Sequence, residues 1–471
     1  MKKDIRELHK YPYPDIDAQA IIRQYVRDDD HVFIVLDDDP TGTQCVHDIR
    51  VCTDWSYETV KKAMESEKLF FILTNSRGLS VKETEKLHNE LCENVSRVYQ
   101  ETGRKYLYLS RSDSTLRGHY PLECDILSKW LEKDFGKADG QILFPYFREG
   151  GRYTIDDVHY VRYKDDLIPC AETEFAKDET FGYSHSDLKE YIEEKTSGAY
   201  RKEDVISFSL EELRNADIAS LSDKLIHAKQ DSRIIVNAVD DIDARIFSII
   251  VYEALKKGKI YCFRTAASFV KCLEGISDQP LLKKKDMIRE ENENGGLIVV
   301  GSHTDKTNLQ LNELLKVDGT EALAFRSSLV NEGSDQLEEE ITRCIALSEK
   351  LITEGKTPVI YTERVLIPTS DKEEALRKSV AISDALMRIV SSIGTRPSYV
   401  IAKGGITSAD VAVKGLTIKE ALVLGQIQPG VPVWSLEDDS RFPGVPYIIF
   451  PGNVGDDDTL KNAVLILKGE K

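Results

Sequence analysis

Short apolar runs that end in a polar or glycine-bearing turn recur along this chain, with charged, helix-favouring stretches between them. That alternation restricts the fold more than any other feature. HVFIVL at 31–36 leads into Asp37, Asp38, Asp39, Pro40, Thr41 and Gly42, and LFFIL at 69–73 leads into Thr74, Asn75, Ser76, Arg77 and Gly78. YLYL at 106–109 leads into SRSDSTLRG at 110–118. Runs this short and this uniformly apolar have the pattern of parallel strands buried on both faces. The segments between them, such as 81–100, suit helices, so the alternation predicts an α/β architecture with a mainly parallel sheet. In such sheets ligands sit beyond the carboxyl ends of the strands, and all three polar clusters fall there.

The series continues through apolar runs at 142–144, 205–208, 234–236 and 259–263, the last entering Arg264. Residues 161–200 are acidic and aromatic, with no period that assigns them an element. From 278 to 296 the sequence DQPLLKKKDMIREENENGG is polar and charged, the pattern of a domain boundary. After it LIVV at 297–300 delivers Gly301 and Ser302, with a helix expected from Asp305. A run at 358–361 follows, YVIA at 399–402 delivers Lys403, Gly404, Gly405, Ile406 and Thr407, and a last run at 447–450 precedes Pro451, Gly452 and Asn453. At 471 residues the chain exceeds one ordinary core. The expectation is two α/β domains with mainly parallel sheets and an interdomain cleft. A leader at 1–30 carries one helix at 17–27, an N-terminal domain spans 31–277, a linker spans 278–296, and a C-terminal domain spans 297–471.

A formal charge of −18 argues against a nucleic-acid or anionic-membrane partner. An anionic small molecule needs a local cationic pocket, for which Arg77, Arg152 and Arg264 follow strand or loop ends. Eight cysteines without a CxxC pair suit free thiols in a reducing compartment. The first residues have no apolar run behind their positive charge, and no stretch of 18 apolar residues occurs, so a cytoplasmic location is expected.

Three glycine turns in the second half, Gly301 with Ser302, Gly404 with Gly405, and Gly452 with Asn453, suit phosphate held by backbone N–H groups, with Lys403 or Lys306 adding charge. Thr407 and Asp410 read as the capping pair of the helix after Gly405. In the first half Asp113, Ser114, Thr115 and Arg117 offer one acceptor, two hydroxyls and one carboxylate fork within five residues, a set suited to a polyhydroxylated acid. Asp37-x-Asp39-x-Thr41 also matches the nucleophile motif of haloacid-dehalogenase-like phosphatases, with FILTN at 71–75 like their second motif. The metal-binding acid pair of those enzymes has no counterpart in the same half. GKT at 355–357 lacks the glycine of a Walker loop, and the nine histidines form no HExxH.

Taken together, DDPTGTQ at 38–44, DSTLRG at 113–118, FP and GGRYT between 144 and 154, VGS at 300–302, KGGIT at 403–407, PGVP at 429–432 and PGNVG at 451–455 make the chain resemble the four-carbon acid sugar kinases, the group that includes 3-oxo-tetronate and threonate kinases. The resemblance implies an N-terminal domain for the sugar acid and a C-terminal domain for ATP with Mg²⁺. It puts Ser302, Gly404, Gly405, Ile406, Thr407 and Gly452 at the nucleotide, to which the glycine turns add Gly301, Lys403 and Asn453. It puts Asp38, Asp39, Asp113 and Arg117 on the acceptor side, where the polar clusters at the strand and loop ends add Thr41, Arg77, Ser114, Thr115 and Arg152. The chemistry of phosphoryl transfer then makes Asp38 or Asp113 the expected proton acceptor and Arg117 the expected carboxylate clamp. No metal ligand is assigned, and a homodimer is compatible. Two departures stand out. Pro40 and then TGT replace an apolar residue and TGA, which bears on substrate identity. Ile406 stands where an acidic residue is frequent, which bears on how Mg²⁺ or the ribose is held. The alternatives are a sugar-phosphate phosphatase and a non-catalytic sugar-acid-binding protein.

Overall fold

The computed structural model describes residues 2–471 apart from 290–291, 302–303, 332–333, 364–371 and 453. Ser302 and Asn453 therefore lie outside the described residues. Two compact units are present, one of Met1–Val46 with Asp54–Asp278 and one of His47–Thr53 with Gln279–Lys471. Each is α/β, with a mainly parallel sheet.

In the first unit seven parallel strands run in the order Ile206–Phe208, Ser232–Val236, Gly140–Phe144, Tyr261–Thr265, Tyr106–Arg111, Val32–Asp37, Leu69–Leu73. Val32–Asp37, Leu69–Leu73 and Tyr106–Arg111 are buried at every position, as strands covered on both faces must be. The helix Val81–Thr102 supplies part of that cover. Leu87, Leu91, Val95 and Val98 recur at helical spacing and are buried. A Ser80–Glu83 capping box starts this helix, and Gly103 in the left-handed conformation ends it.

From Val32–Asp37 the chain goes to Leu69–Leu73 on one side and then to Tyr106–Arg111 on the other. The carboxyl ends of Val32–Asp37 and Tyr106–Arg111 thus form the switch point of the sheet. Asp37, Asp38, Arg111 and Asp113 are delivered to that point by chain order alone.

The segment that sequence reasoning left unassigned forms part of a small antiparallel sheet, in the order Lys3–Asp4, Asp166–Pro169, Val158–Tyr163, Arg152–Ile155. The helix Leu188–Lys195 follows it. Near the amino end the helix Ala18–Asp28, capped by Asp17, stacks Tyr25 on Tyr252 with ring centroids 5.4 Å apart.

The second unit has the order Ile49–Cys52, Glu420–Gln428, Val431–Leu436, Pro446–Phe450, Val400–Lys403, Leu297–Val300, Thr357–Thr362, Thr320–Phe325. The last five are parallel, and the first three pair antiparallel. Sequence reasoning missed the hairpin of Glu420–Gln428 and Val431–Leu436, because Pro429 and Gly430 read as loop when they are its turn. It also missed Ile49–Cys52, whose partner strand lies far along the chain. Here too the order reverses at one strand: Leu297–Val300 is followed on one side by Thr320–Phe325 and Thr357–Thr362, and on the other by Val400–Lys403. Gly301 and Lys403 stand at that second switch point.

Candidate functional site

At the switch point of the first unit three consecutive carboxylates leave one strand and meet different partners. Asp37 accepts from Arg111 Nη1 at 3.1 Å. A side chain at Gly42 would collide with both of its oxygens, so the turn 40–45 closes over it. Burial pushes the Asp37 carboxyl up to about 7, with Arg111 opposing. A carboxylate held and covered in this way does not present the exposed nucleophile that a phosphatase motif needs. Asp39 faces outward, pairing with Arg77 and accepting from Thr41 N at 2.8 Å and Thr41 Oγ1 at 2.6 Å.

Asp38 lies between these two. It is 2% exposed, and among the described residues neither of its oxygens has a hydrogen-bond partner. Arg111 Nη1 is 3.8 Å from its Oδ1. Burial raises the Asp38 carboxyl above its ordinary range, with Arg77 and Arg111 opposing.

Asp113 is the opposite case. It accepts from Arg117 Nε at 2.8 Å and from the Thr115 hydroxyl, and Arg77 Nη1 is 3.4 Å away. Burial alone would raise it, but Arg77 and Arg117 hold it well below the carboxylate range. Its loop is pinned by four carbonyl contacts. His159 Nε2 is 2.8 Å from Ser114 O, Tyr183 Oη donates to Thr115 O at 2.7 Å, Tyr191 Oη to Leu116 O at 2.8 Å, and Arg264 Nη2 to Arg117 O at 2.7 Å. Two of these four side chains, Tyr183 and Tyr191, come from residues 161–200, so the segment without a readable period supplies half of the contacts that fix the DSTLRG loop.

Asp38, Asp39, Thr41, Arg77, Asp113, Thr115 and Arg117 come together as one cluster, and Ser114 contributes its carbonyl. Arg117 is more engaged than a free clamp, since its Nη1 also faces Asp178 at 3.7 Å. The guanidiniums of Arg117 and Arg152 both lie over the Phe175 ring. Sequence reasoning missed Arg111, whose one signal is a basic residue closing an otherwise apolar strand. It also missed Glu123, which receives Ser76 Oγ at 2.6 Å and Ser110 Oγ at 3.1 Å.

In the second unit Lys403 is fully buried. Its Nζ donates to Pro451 O at 2.6 Å and Gly452 O at 2.9 Å, and lies 4.7 Å from the Phe450 ring centroid. Its reach is inward, towards the third turn. Lys306 Nζ donates to Gly455 O at 3.0 Å, and Thr307 Oγ1 to Gly452 O at 3.3 Å, so both hold the same turn from another side. Burial, and after it Lys306, brings Lys403 down to about 7. Thr407 Oγ1 stands against Gly301, where a side chain would overlap it. Three turns thus meet around backbone groups and two ammonium groups, an arrangement suited to an anion.

The expected capping pair needs correction. Gly404 is the N-cap of the helix Gly405–Asp410 and has no side-chain cap bond, Thr407 lies inside the helix, and Asp410 accepts from Ser383 at 2.5 Å. Ile406 is 70% exposed beside this turn. Among the described residues no group of three or more His, Cys, Asp or Glu could hold a metal ion. A magnesium ion carried by phosphates needs only one or two protein carboxylates, and no residue is assigned to one. No helix among the described residues is long and apolar enough to cross a membrane.

Comparison with known proteins follows the same division. A model of a sugar-binding N-terminal domain matches residues 33–273, and a model of a nucleotide-binding C-terminal domain matches residues 297–460. Among solved structures, a putative tRNA synthase from Salmonella typhimurium LT2 is similar with a TM-score of 0.64 at 15% identity, over 92% of this chain and 98% of that one. A Haemophilus influenzae protein from a domain-of-unknown-function family gives 0.58 at 16% identity, over 92% and 100%. At these identities the likeness shows the fold. No curated protein matches the chain significantly.

Two outcomes follow from the geometry. Gly42→Ala forces a methyl into the Asp37 carboxylate and should cost about 1–3 kcal/mol, read as a lower denaturant midpoint; an unchanged midpoint contradicts the packing. A lysine in the unfolded chain titrates near 10.4, whereas folded Lys403 releases its proton near 7. Between those values the folded unit binds fewer protons than the unfolded chain, so stability rises with pH, by at most about 1.4 kcal/mol per unit. Below 7 this contribution is flat. Wild type should therefore gain stability relative to Lys403→Met from pH 7 to 9; equal slopes contradict the burial of an uncompensated ammonium.

Proposed function

The chain belongs to the four-carbon acid sugar kinase family, and from that premise we propose that it is an ATP-dependent kinase that phosphorylates a hydroxyl of a four-carbon sugar acid of the threonate, erythronate or 3-oxo-tetronate type. The observation that carries this reading is Asp38: a buried carboxylate with no hydrogen bond among the described residues, at the switch point of a sugar-binding domain. A carboxylate in that condition is basic for its kind and gains a partner when a substrate hydroxyl arrives.

In this reading the hydroxyl oxygen attacks the γ-phosphorus and forms the new O–P bond. The bond from the γ-phosphorus to the bridging oxygen breaks with its electron pair going to ADP, and Asp38 takes the hydroxyl proton. Asp113 does not compete for that role, because Arg77, Arg117 and Thr115 already occupy it and hold it ionised. Its work is to fix the two guanidiniums that surround the acid. The turns at Gly301, Gly404, Gly405 and Gly452 border the phosphates, the N–H groups of Gly301 and Gly404 being already given to the carbonyls of Lys403 and Phe450, with Lys306 and Lys403 keeping the third turn in place. The exposed Ile406 offers apolar surface there in place of an acidic side chain. A magnesium ion bound with the nucleotide supplies charge neutralisation at the phosphates. Ser302, by family resemblance, and Asn453, as part of the third glycine turn in the sequence, belong to the same proposal.

ADP formation measured over a panel of four-carbon sugar acids and their oxo forms tests the activity. Asp38→Asn should lower kcat by roughly 10²–10⁴ with nucleotide affinity kept, whereas Asp113→Asn should act mainly by raising KM for the acid. The reverse assignment of the two effects would overturn the choice of Asp38.

A further inference from the structure

Arg152 and Arg117 share one aromatic support. The guanidinium carbon of Arg117 lies 5.1 Å from the Phe175 ring centroid, and that of Arg152 lies 5.7 Å from it. Phe175 belongs to a short turn of helix, Glu174–Lys177, that no sequence motif singles out. The two cations are answered differently. Arg117 has Asp113 at 2.8 Å and Asp178 at 3.7 Å. Arg152 donates through Nη1 to the Gly150 carbonyl, and its buried Nε has no hydrogen-bond partner among the described residues. Burial, with Asp113 opposing and Arg117 adding to it, lowers Arg152 from the ordinary arginine range.

A guanidinium sharing an aromatic ring with a second one, with a carbonyl as its acceptor and a buried N–H unused among the described residues, favours an added negative charge. A buried unpaired donor costs about 1–3 kcal/mol, more for a charged group, and a carboxylate removes that cost with a fork of two parallel bonds. Ring support matters because it fixes the planes of both forks, so little side-chain freedom is lost when an anion arrives.

We infer that Phe175, Arg152 and Arg117 form the seat of the acid's carboxylate, with Arg152 as the specificity-determining residue and Phe175 as the positioning residue that holds both guanidiniums. This rests on the sugar-acid kinase reading, and it moves the main carboxylate contact from Arg117, whose Nε is taken by Asp113, to Arg152. The seat accounts for preference of an acid over the matching polyol, while Asp38 serves the reacting hydroxyl.

The test compares the full-length wild type with Phe175→Leu and Arg152→Met. Turnover of D-erythronate and D-threonate is measured against erythritol and threitol, and calorimetric binding of the two acids is measured without nucleotide. Arg152→Met should erase the acid-over-polyol preference in kcat/KM. Phe175→Leu should reduce it roughly tenfold through KM with kcat nearly unchanged, the size expected for cation–π support of a partly desolvated cation. A lower melting temperature with an unchanged acid-over-polyol ratio would mean a structural role only and overturns the inference. Should Arg152→Met fail to fold, Phe175→Leu decides by the same ratio. If wild type forms no ADP with any acid, the kinase reading fails, and the calorimetry still decides the seat: acid binding weakened in both variants supports it, and binding equal to wild type, or absent from wild type, overturns it.

Discussion

Charge carried to the carboxyl edge of a buried parallel sheet has to be answered there, and the first unit is arranged around how that is done. Asp37, Asp38 and Asp39 leave one strand, Arg111 closes the neighbouring one, and Arg77, Asp113 and Arg117 follow strand ends close by. Removing one partner of a buried pair is strongly destabilising, about 3–5 kcal/mol, so each charge constrains the others. Asp37 is matched by Arg111, and Asp113 is matched several times over. Asp38 is matched least, with guanidiniums nearby and hydrogen bonds to neither oxygen. A residue held in that condition is where a substrate hydroxyl has most to offer.

Rigidity reaches the site from a distance in sequence. The carbonyls of residues 114–117 are each contacted by a side chain, from His159, Tyr183, Tyr191 and Arg264. A loop whose backbone groups are satisfied in this way keeps Asp113 and Arg117 oriented before any ligand is present, which is where much of the positioning in phosphoryl transfer comes from. The second unit uses the same principle with lysine. Lys403 and Lys306 donate to carbonyls of the turn at 451–455, so their charge stays by the glycine turns while their donors shape the backbone.

Much of this was legible in the sequence, and the reasons are physical. The parallel strands could be read because burial on both faces leaves an uninterrupted apolar run, and the polar residues after each run could be assigned to one sheet edge. Features that depend on partners far along the chain could not be read. Lys3–Asp4 pairs with Asp166–Pro169, and Ile49–Cys52 with Glu420–Gln428, without any local period to announce it. Arg111 was hidden because it ends a strand that otherwise looks like core. Lys403 was seen beside its glycines, but whether its ammonium turned outward or towards Pro451 is decided by tertiary packing. Thr407 and Asp410 have the spacing of a cap, yet the helix begins two residues before Thr407, at Gly405, and the motif has no free N–H groups to serve. The division of labour between Asp38 and Asp113 was likewise invisible, since it depends on which guanidinium each one meets.

Every role proposed for the two units depends on transfer of the phosphoryl group of ATP to a sugar-acid hydroxyl. Phosphorus-31 NMR of the full-length protein with ATP, Mg²⁺ and D-erythronate, D-threonate or their 3-oxo and 2-oxo forms tests it most directly. A sugar-acid kinase gives a phosphomonoester resonance growing with ADP in equal amounts for at least one acid. Inorganic phosphate growing in its place, or no change with any acid, would contradict it.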